Sequence, residues 1–238
     1  MLIGAMFDLI PAVDIQKGRA VRLFEGDPER ETVYFDAPID AARHWTDLGA
    51  AWLHVVDLDA ALGRSDNTKL IRALAEGVDA RVELGGGVRS VEAAADWLAH
   101  VERVVLGTVA IYEPEVVEAL VADFGPDRVV VSIDAREGKV AVHGWAQVTD
   151  VDAAELARRV EARGVRHLIY TDIGRDGTLR GVDEAPVAHM RSAFPHYLVA
   201  GGGVGSDADL EIYERLGLDG AVVGRALYEG AITYPRPA

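Results

Sequence analysis

Glu83-Leu84-Gly85-Gly86-Gly87-Val88-Arg89-Ser90 follows a short apolar run, and the same arrangement returns later as Val199-Ala200-Gly201-Gly202-Gly203-Val204-Gly205-Ser206. Three glycines between a strand and a helix let backbone N–H groups approach an anion closely, because no Cβ stands in the way. A serine after them caps a helix whose positive N-terminus faces the same anion. One such stretch is more often a plain turn, but the repetition extends beyond the glycines. Gly85 and Gly201 are 116 positions apart. Val105-Leu106-Gly107-Thr108 has its echo in Val222-Val223-Gly224-Arg225, with Gly107 and Gly224 117 apart. Asp57 pairs with Asp172 at 115 and Asp14 with Asp134 at 120. Near-equal offsets of this kind indicate two similar halves, about 8–124 and 128–230.

Around these anchors the chain alternates. Short β-branched-rich runs at 9–13, 52–56, 82–84, 103–106, 129–133, 167–170, 197–200 and 220–223 predict strands buried on both faces. Between them, amphipathic stretches at 38–48, 68–76, 91–100, 114–124, 153–163, 184–194 and 207–216 predict helices. Asp36 or Asp40 is the expected cap of the first helix. Ser206-Asp207-Ala208-Asp209 has the form of a capping box, and Gly49, Gly77, Gly164 and Gly217 stand where helices stop. Eight strands joined by helical crossovers in 238 residues favour a single α/β domain, a (β/α)8 TIM barrel with a twofold half-barrel repeat, over a doubly wound sheet.

Composition narrows the function. Half of the residues are hydrophobic and the net charge is −15, which argues against a nucleic-acid partner or a basic membrane-surface protein. With no cysteine, disulfides, thiol nucleophiles and cysteine-ligated metals are excluded. The apolar runs fall short of a membrane span. Residues 1–7 lack a basic flank and a small-residue cleavage site, which predicts a cytoplasmic protein, expected to be a monomer.

In such barrels the chemistry sits in the loops at the C-terminal ends of the strands, where Asp14, Asp57, Gly107, Asp134, Thr171, Asp172, Asp176, Gly224 and both glycine triplets fall. Two phosphate cradles related by the repeat predict an elongated small-molecule ligand with a phosphate at each end. One cradle is Gly85, Gly86 and Gly87 with Gly107 and Thr108; the other is Gly201, Gly202 and Gly203 with Gly224 and Arg225. Asp14 and Asp134 then face each other between the phosphates, a carboxylate pair whose pKa values a closed site can push apart into a base and an acid. Asp176, in Arg175-Asp176-Gly177-Thr178, is a third candidate that also reads as a turn.

Several stretches together resemble the phosphoribosylformimino-aminoimidazole carboxamide ribotide (ProFAR) isomerase family of histidine biosynthesis, from about residue 9 to 230. They are Ile10-Pro11-Ala12-Val13-Asp14, His54-Val55-Val56-Asp57-Leu58-Asp59, Gly85-Gly86-Gly87-Val88-Arg89-Ser90, Ser132-Ile133-Asp134, Gly144-Trp145, Thr171-Asp172-Ile173, Arg175-Asp176-Gly177-Thr178 and Val223-Gly224-Arg225-Ala226-Leu227-Tyr228. The resemblance implies a half-duplicated barrel, a substrate with two phosphoribosyl groups, no metal or organic cofactor, and an Amadori rearrangement of an aminoaldose to an aminoketose. It implies Asp14 as proton acceptor and Asp134 as donor, with Asp176 the alternative donor. Arg89 belongs to the phosphate motif, and Thr171 orients substrate or an aspartate. Trp145 stacks on the imidazole carboxamide or packs on the barrel rim, and Arg22 helps bind substrate or lies on the surface.

The chain departs from the family pattern in three places. Residues 1–7 look like an extension with Met6 a second possible start, the eighth helix is cut short by Tyr234-Pro235-Arg236-Pro237, and Gly63-Arg64-Ser65 resembles a loop of the bifunctional relative that also isomerises phosphoribosylanthranilate. That bifunctional enzyme is one alternative reading. The cyclase subunit of imidazole glycerol phosphate synthase is another, although its first strand usually carries Cys-Leu-Asp where this chain has Ala12-Val13-Asp14. A silent phosphate-binding barrel is the third.

Overall fold

Buried β-branched runs need both faces covered, and closing the sheet on itself meets that need without leaving an edge. The computed structural model describes residues 7–236. Among them the strands are β1 (Asp8–Gln16), β2 (Arg19–Phe24), β3 (Asp27–Phe35), β4 (Trp52–Asp57), β5 (Arg81–Gly85), β6 (Arg103–Leu106), β7 (Val129–Arg136), β8 (Lys139–Val142), β9 (Gln147–Asp152), β10 (His167–Asp172), β11 (Tyr197–Gly201) and β12 (Gly220–Val223). Eight of these form a closed parallel ring in the order β1, β4, β5, β6, β7, β10, β11, β12, and β12 pairs back onto β1 with Asp8 opposite Gly220. This is the (β/α)8 barrel that the repeat and the alternation predict.

The helices are α1 (Pro38–Asp47), α2 (Leu58–Ala61), α3 (Thr68–Glu76), α4 (Val91–Leu98), α5 (Val109–Tyr112), α6 (Pro114–Phe124), α7 (Ala153–Ala162), α8 (Glu184–Ala193), α9 (Asp207–Arg215) and α10 (Arg225–Tyr228). Their apolar stripes pack on the outer face of the ring, through Ile71, Leu74, Leu120, Leu156, Phe194 and Leu210, each at most 3% exposed. Inside the ring a second core stacks Ile10, Trp52, Val105, Val130, Ile169 and Val199. At its N-terminal end the guanidinium groups of Arg81 and Arg103 each lie 4.2 Å from the Trp52 ring and close the barrel from below.

Ser90 accepts the N–H of Ala93 at the start of α4, and Ser206 with Asp209 forms the expected capping box on α9. Neither Asp36 nor Asp40 caps α1. Ala37 occupies that position with no side-chain bond, and Pro38, which has no N–H to satisfy and a preset φ, starts the helix instead. The last helix also ends differently from expectation. It is four residues long and stops before Gly230, at φ 69°, ahead of the prolines. Trp45, Tyr228 and Tyr234 cover that end with ring centroids 5.1 and 5.7 Å apart. Of the predicted N-terminal extension, residues 1–6 lie outside the described residues.

Two elements that the sequence reading left as loops are antiparallel hairpins. The pair β2–β3 continues from β1, and β8–β9 continues from β7, so they occupy equivalent places in the two halves. Both rise from the C-terminal ends of barrel strands and overhang the mouth.

Candidate active site

In the ring, β1 and β7 are four strands apart, as are β5 and β11. Asp14 therefore faces Asp134 across the barrel, and the two glycine triplets face each other on the perpendicular diameter. A cavity of about 230 Å³ opens at this mouth. Asp14, Arg22, Gly85, Gly86, Gly87, Arg89, Gly107, Thr108, Asp134, Trp145, Thr171, Asp176 and Gly201 line it. A second hollow of about 20 Å³ adjoins it, lined by Gly177, Gly202, Gly203, Gly224 and Arg225. Arg22 and Asp176 border both.

The cradles are built alike. Gly86 has φ 92°, and a Cβ there would stand 2.2 Å from the carbonyl oxygen of Asp57; Gly202 has φ 89°, with the oxygen of Asp172 at 2.3 Å. Both positions admit only glycine, and Asp57 and Asp172 serve the framework. Asp57 accepts the N–H of Ala60 (3.1 Å), and from Asn67 both the backbone N–H (2.7 Å) and Nδ2 (2.8 Å). Asp172 accepts the N–H of Gly174 at 3.1 Å. A Cβ on Gly107 would meet nothing within 4 Å, so packing within the protein does not demand a glycine there. At Gly224 it would fall 2.2 Å from Cζ of Arg22.

Arg22 is not on the surface. It is 9% exposed, its Nη1 donates to Asp14 Oδ2 at 2.7 Å, and its Nη2 lies 3.7 Å from Asp176 Oδ1. Burial pushes the Asp176 carboxyl up to about 6. The Arg22 cation pulls it down, and the neighbouring Asp14 and Asp134 push it up again. Burial also raises the carboxyl of Asp172, at the end of β10.

Asp134 is held by two donors, Ser132 Oγ at 2.9 Å and Trp145 Nε1 at 2.9 Å. His143, Gly144 and Trp145 have φ of 56°, 61° and 69°, a left-handed run that turns the indole inward. Trp145 lines the cavity with its Nε1 engaged by Asp134. It lies across the mouth against Gly26 of the other hairpin, where a Cβ would come 2.1 Å from Cε3.

The remaining predicted residues are partly engaged by the protein. Arg89 donates to the carbonyl oxygens of Ala60 and Ala61 at 3.1 Å, tying down the end of α2. Thr108 Oγ1 accepts the N–H of His143 at 3.0 Å. Thr171 sits opposite Asp134 and Gly201 in strand register. Arg225 is steered by Glu229 at 2.7 Å and donates to the carbonyl of Gly177 at 2.7 Å; Tyr34, stacked on Tyr228 at 4.5 Å, reaches the same Glu229.

Ser132, Gly26 and His54 are site residues that the sequence reading did not single out. The alternation of inward positions along β4 and β7 was the available signal for His54 and Ser132.

With this geometry in place, comparison with known proteins is informative. Residues 8–233 match the family described as histidine biosynthesis protein. A protein of Deinococcus radiodurans is 53% identical over 228 residues, covering 95% of this chain and 96% of its own length. One from Thermus thermophilus is 47% identical over 94% of this chain and 95% of its own length. One from Dehalococcoides mccartyi is 47% identical over 98% and 96%. All three are named as isomerases of 1-(5-phosphoribosyl)-5-((5-phosphoribosylamino)methylideneamino)imidazole-4-carboxamide.

Proposed function

The chain belongs to the histidine biosynthesis protein family, and from that premise we propose that it is the aldose–ketose isomerase its relatives are named for, acting on ProFAR. The observation that carries this reading at the level of the site is the crossed arrangement at the mouth. One diameter joins the two glycine triplets, and the other joins Asp14 to Asp134. A substrate with a phosphoribosyl group at each end spans the first diameter and presents its reacting carbons to the second.

Arg22 packs directly on Gly224 of the second cradle, where a Cβ would meet its Cζ at 2.2 Å, which supports the sugar at that end as the one that reacts. Asp176, with its carboxyl raised to about 6, protonates the ring oxygen and opens the furanose to a Schiff base. Asp14 removes the proton from C2, giving an enolamine that tautomerises to the aminoketose. Asp134 already accepts two hydrogen bonds, which suits it to orient the open chain. Arg22 holds Asp14 and Asp176 at the spacing the two proton transfers need.

Steady-state turnover of the purified protein on ProFAR, with phosphoribosylanthranilate assayed in parallel and no metal or partner protein added, tests the reading. Conversion of ProFAR alone fits a dedicated isomerase. Conversion of both makes the enzyme bifunctional, since the same aspartates serve both rearrangements, and conversion of neither rejects the reading.

A further inference from the structure

A buried histidine–glutamate pair stands at this cavity without a part in the steps above. His54 Nδ1 lies 2.8 Å from Glu83 Oε1, on residues directly paired between β4 and β5; His54 is 9% exposed and Glu83 2%. A carboxyl inside a barrel is costly to desolvate, and apolar side chains would fill the same space at no such penalty. The floor around it is indeed apolar, made by Ala12, Val105, Ile169 and Val222. His54 borders the cavity and Glu83 stands behind it. Nδ1 is taken up by Glu83, which leaves Nε2 as the ring's remaining hydrogen-bonding position. Nε2 has no protein partner among the described residues and is not sealed from solvent, so it opens on the cavity.

We infer that His54 binds the half of the substrate that does not react. Its Nε2 makes a hydrogen bond to a polar group of the imidazole carboxamide ribotide, and Glu83 is the positioning residue that fixes the ring. The inference rests on the isomerase reading. Strand order supplies the assignment: β4 adjoins β5, which carries the first cradle, while Arg22 packs on Gly224 of the second, where a Cβ would meet its Cζ at 2.2 Å. A contact to the non-reacting half is made equally in ground and transition states, so it acts on KM.

The test pairs steady-state kinetics on ProFAR with calorimetric titration of 5-amino-1-(5-phosphoribosyl)imidazole-4-carboxamide and of inorganic phosphate. The variants are the double substitution His54→Leu with Glu83→Leu, which leaves no buried charge to prevent folding, and Glu83→Gln. The double variant should raise KM and weaken ribotide binding about tenfold, with kcat within about threefold of wild type and phosphate binding unchanged. Glu83→Gln should redistribute the His54 ring proton in the ¹⁵N spectrum and weaken ribotide binding by a smaller factor.

Ribotide binding within about twofold of wild type in the folded double variant overturns the inference, as does an equal loss of phosphate binding. A ¹⁵N spectrum unmoved by Glu83→Gln overturns the role of Glu83. Absence of wild-type turnover is a failure of the isomerase reading, and it appears in the kinetics and not in the ribotide titration.

Discussion

Arg22 Nη1 and Asp14 Oδ2 lie 2.7 Å apart at the barrel mouth, each side chain about nine-tenths buried, and the other arm of the same guanidinium faces Asp176 at 3.7 Å. One cation thus serves two carboxyls with different tasks. Replacing Arg22 by Met leaves both acids buried without their counter-charge. Loss of one member of a buried pair destabilises by about 3–5 kcal/mol. We expect that loss in urea unfolding at pH 7, together with a higher pKa for Asp176, because the charge that lowers it is gone. A stability within about 1 kcal/mol of wild type would show that the pair is dispensable to the fold.

Asp14→Asn keeps the shape of the side chain and removes the base. Turnover should fall by about 10²–10⁴, the range for loss of a general base, while the dissociation constant of the diphosphate product changes little. Affinity falling as steeply as the rate would make Asp14 a binding residue.

The raised pKa of Asp176 also has a sign in stability. Its folded value of about 6 lies above the ordinary 3.8, so between these the folded state holds more protons than the unfolded. Stability from this group is complete below about pH 4 and is lost as pH rises through about 6, up to about 3 kcal/mol. Asp176→Asn, which imitates the protonated form, should therefore be more stable than wild type at pH 8 and no more stable at pH 4, measured by thermal unfolding. In the wild-type enzyme kcat/KM should decline above about pH 6 as the acid ionises, and in Arg22→Met that decline should move to higher pH.

Gly26→Ala places a methyl 2.1 Å from Trp145 Cε3 at a backbone φ of 73°. The indole must move and release Asp134. Intrinsic fluorescence should change and kcat should fall about tenfold; Trp145→Phe, which loses the Nε1 donor together with the pyrrole ring, should lower kcat by at least a similar factor.

Gly86→Ala and Gly202→Ala test the duplicated cradle. Each forces a Cβ against a carbonyl oxygen at a positive φ, and each should lower stability by more than about 2 kcal/mol in denaturant unfolding.

The barrel strands were legible because burial on both faces leaves uninterrupted β-branched runs, and the helices because one apolar stripe recurs at their period. Thus β6 and β12, and α3 and α6, begin and end where the pattern places them. The hairpins were not legible. Asp27-Pro28-Glu29-Arg30-Glu31 and Gln147-Val148-Thr149-Asp150 are mainly exposed and polar, so they carry no burial pattern and are held by pairing with neighbours. Within the site, the aspartates and glycine triplets announced themselves by repeating. Arg22 did not, because an arginine reads as surface until its two acidic partners are brought around it. The elevated pKa of Asp176 likewise arises only from burial that the fold creates.

The duplication of the glycine cradles carries a hazard. If a molecule ends in the same group at both extremities and the cavity offers the same backbone to each, it can be inserted backwards. Such a complex would be tightly held and inert. Only side chains that do not repeat across the pseudo-axis can tell head from tail: Arg22 packs on Gly224 in one cradle, and Thr108 stands where Arg225 does in the other. The vectorial sense of the reaction is thus written in the few places where the two halves have ceased to match.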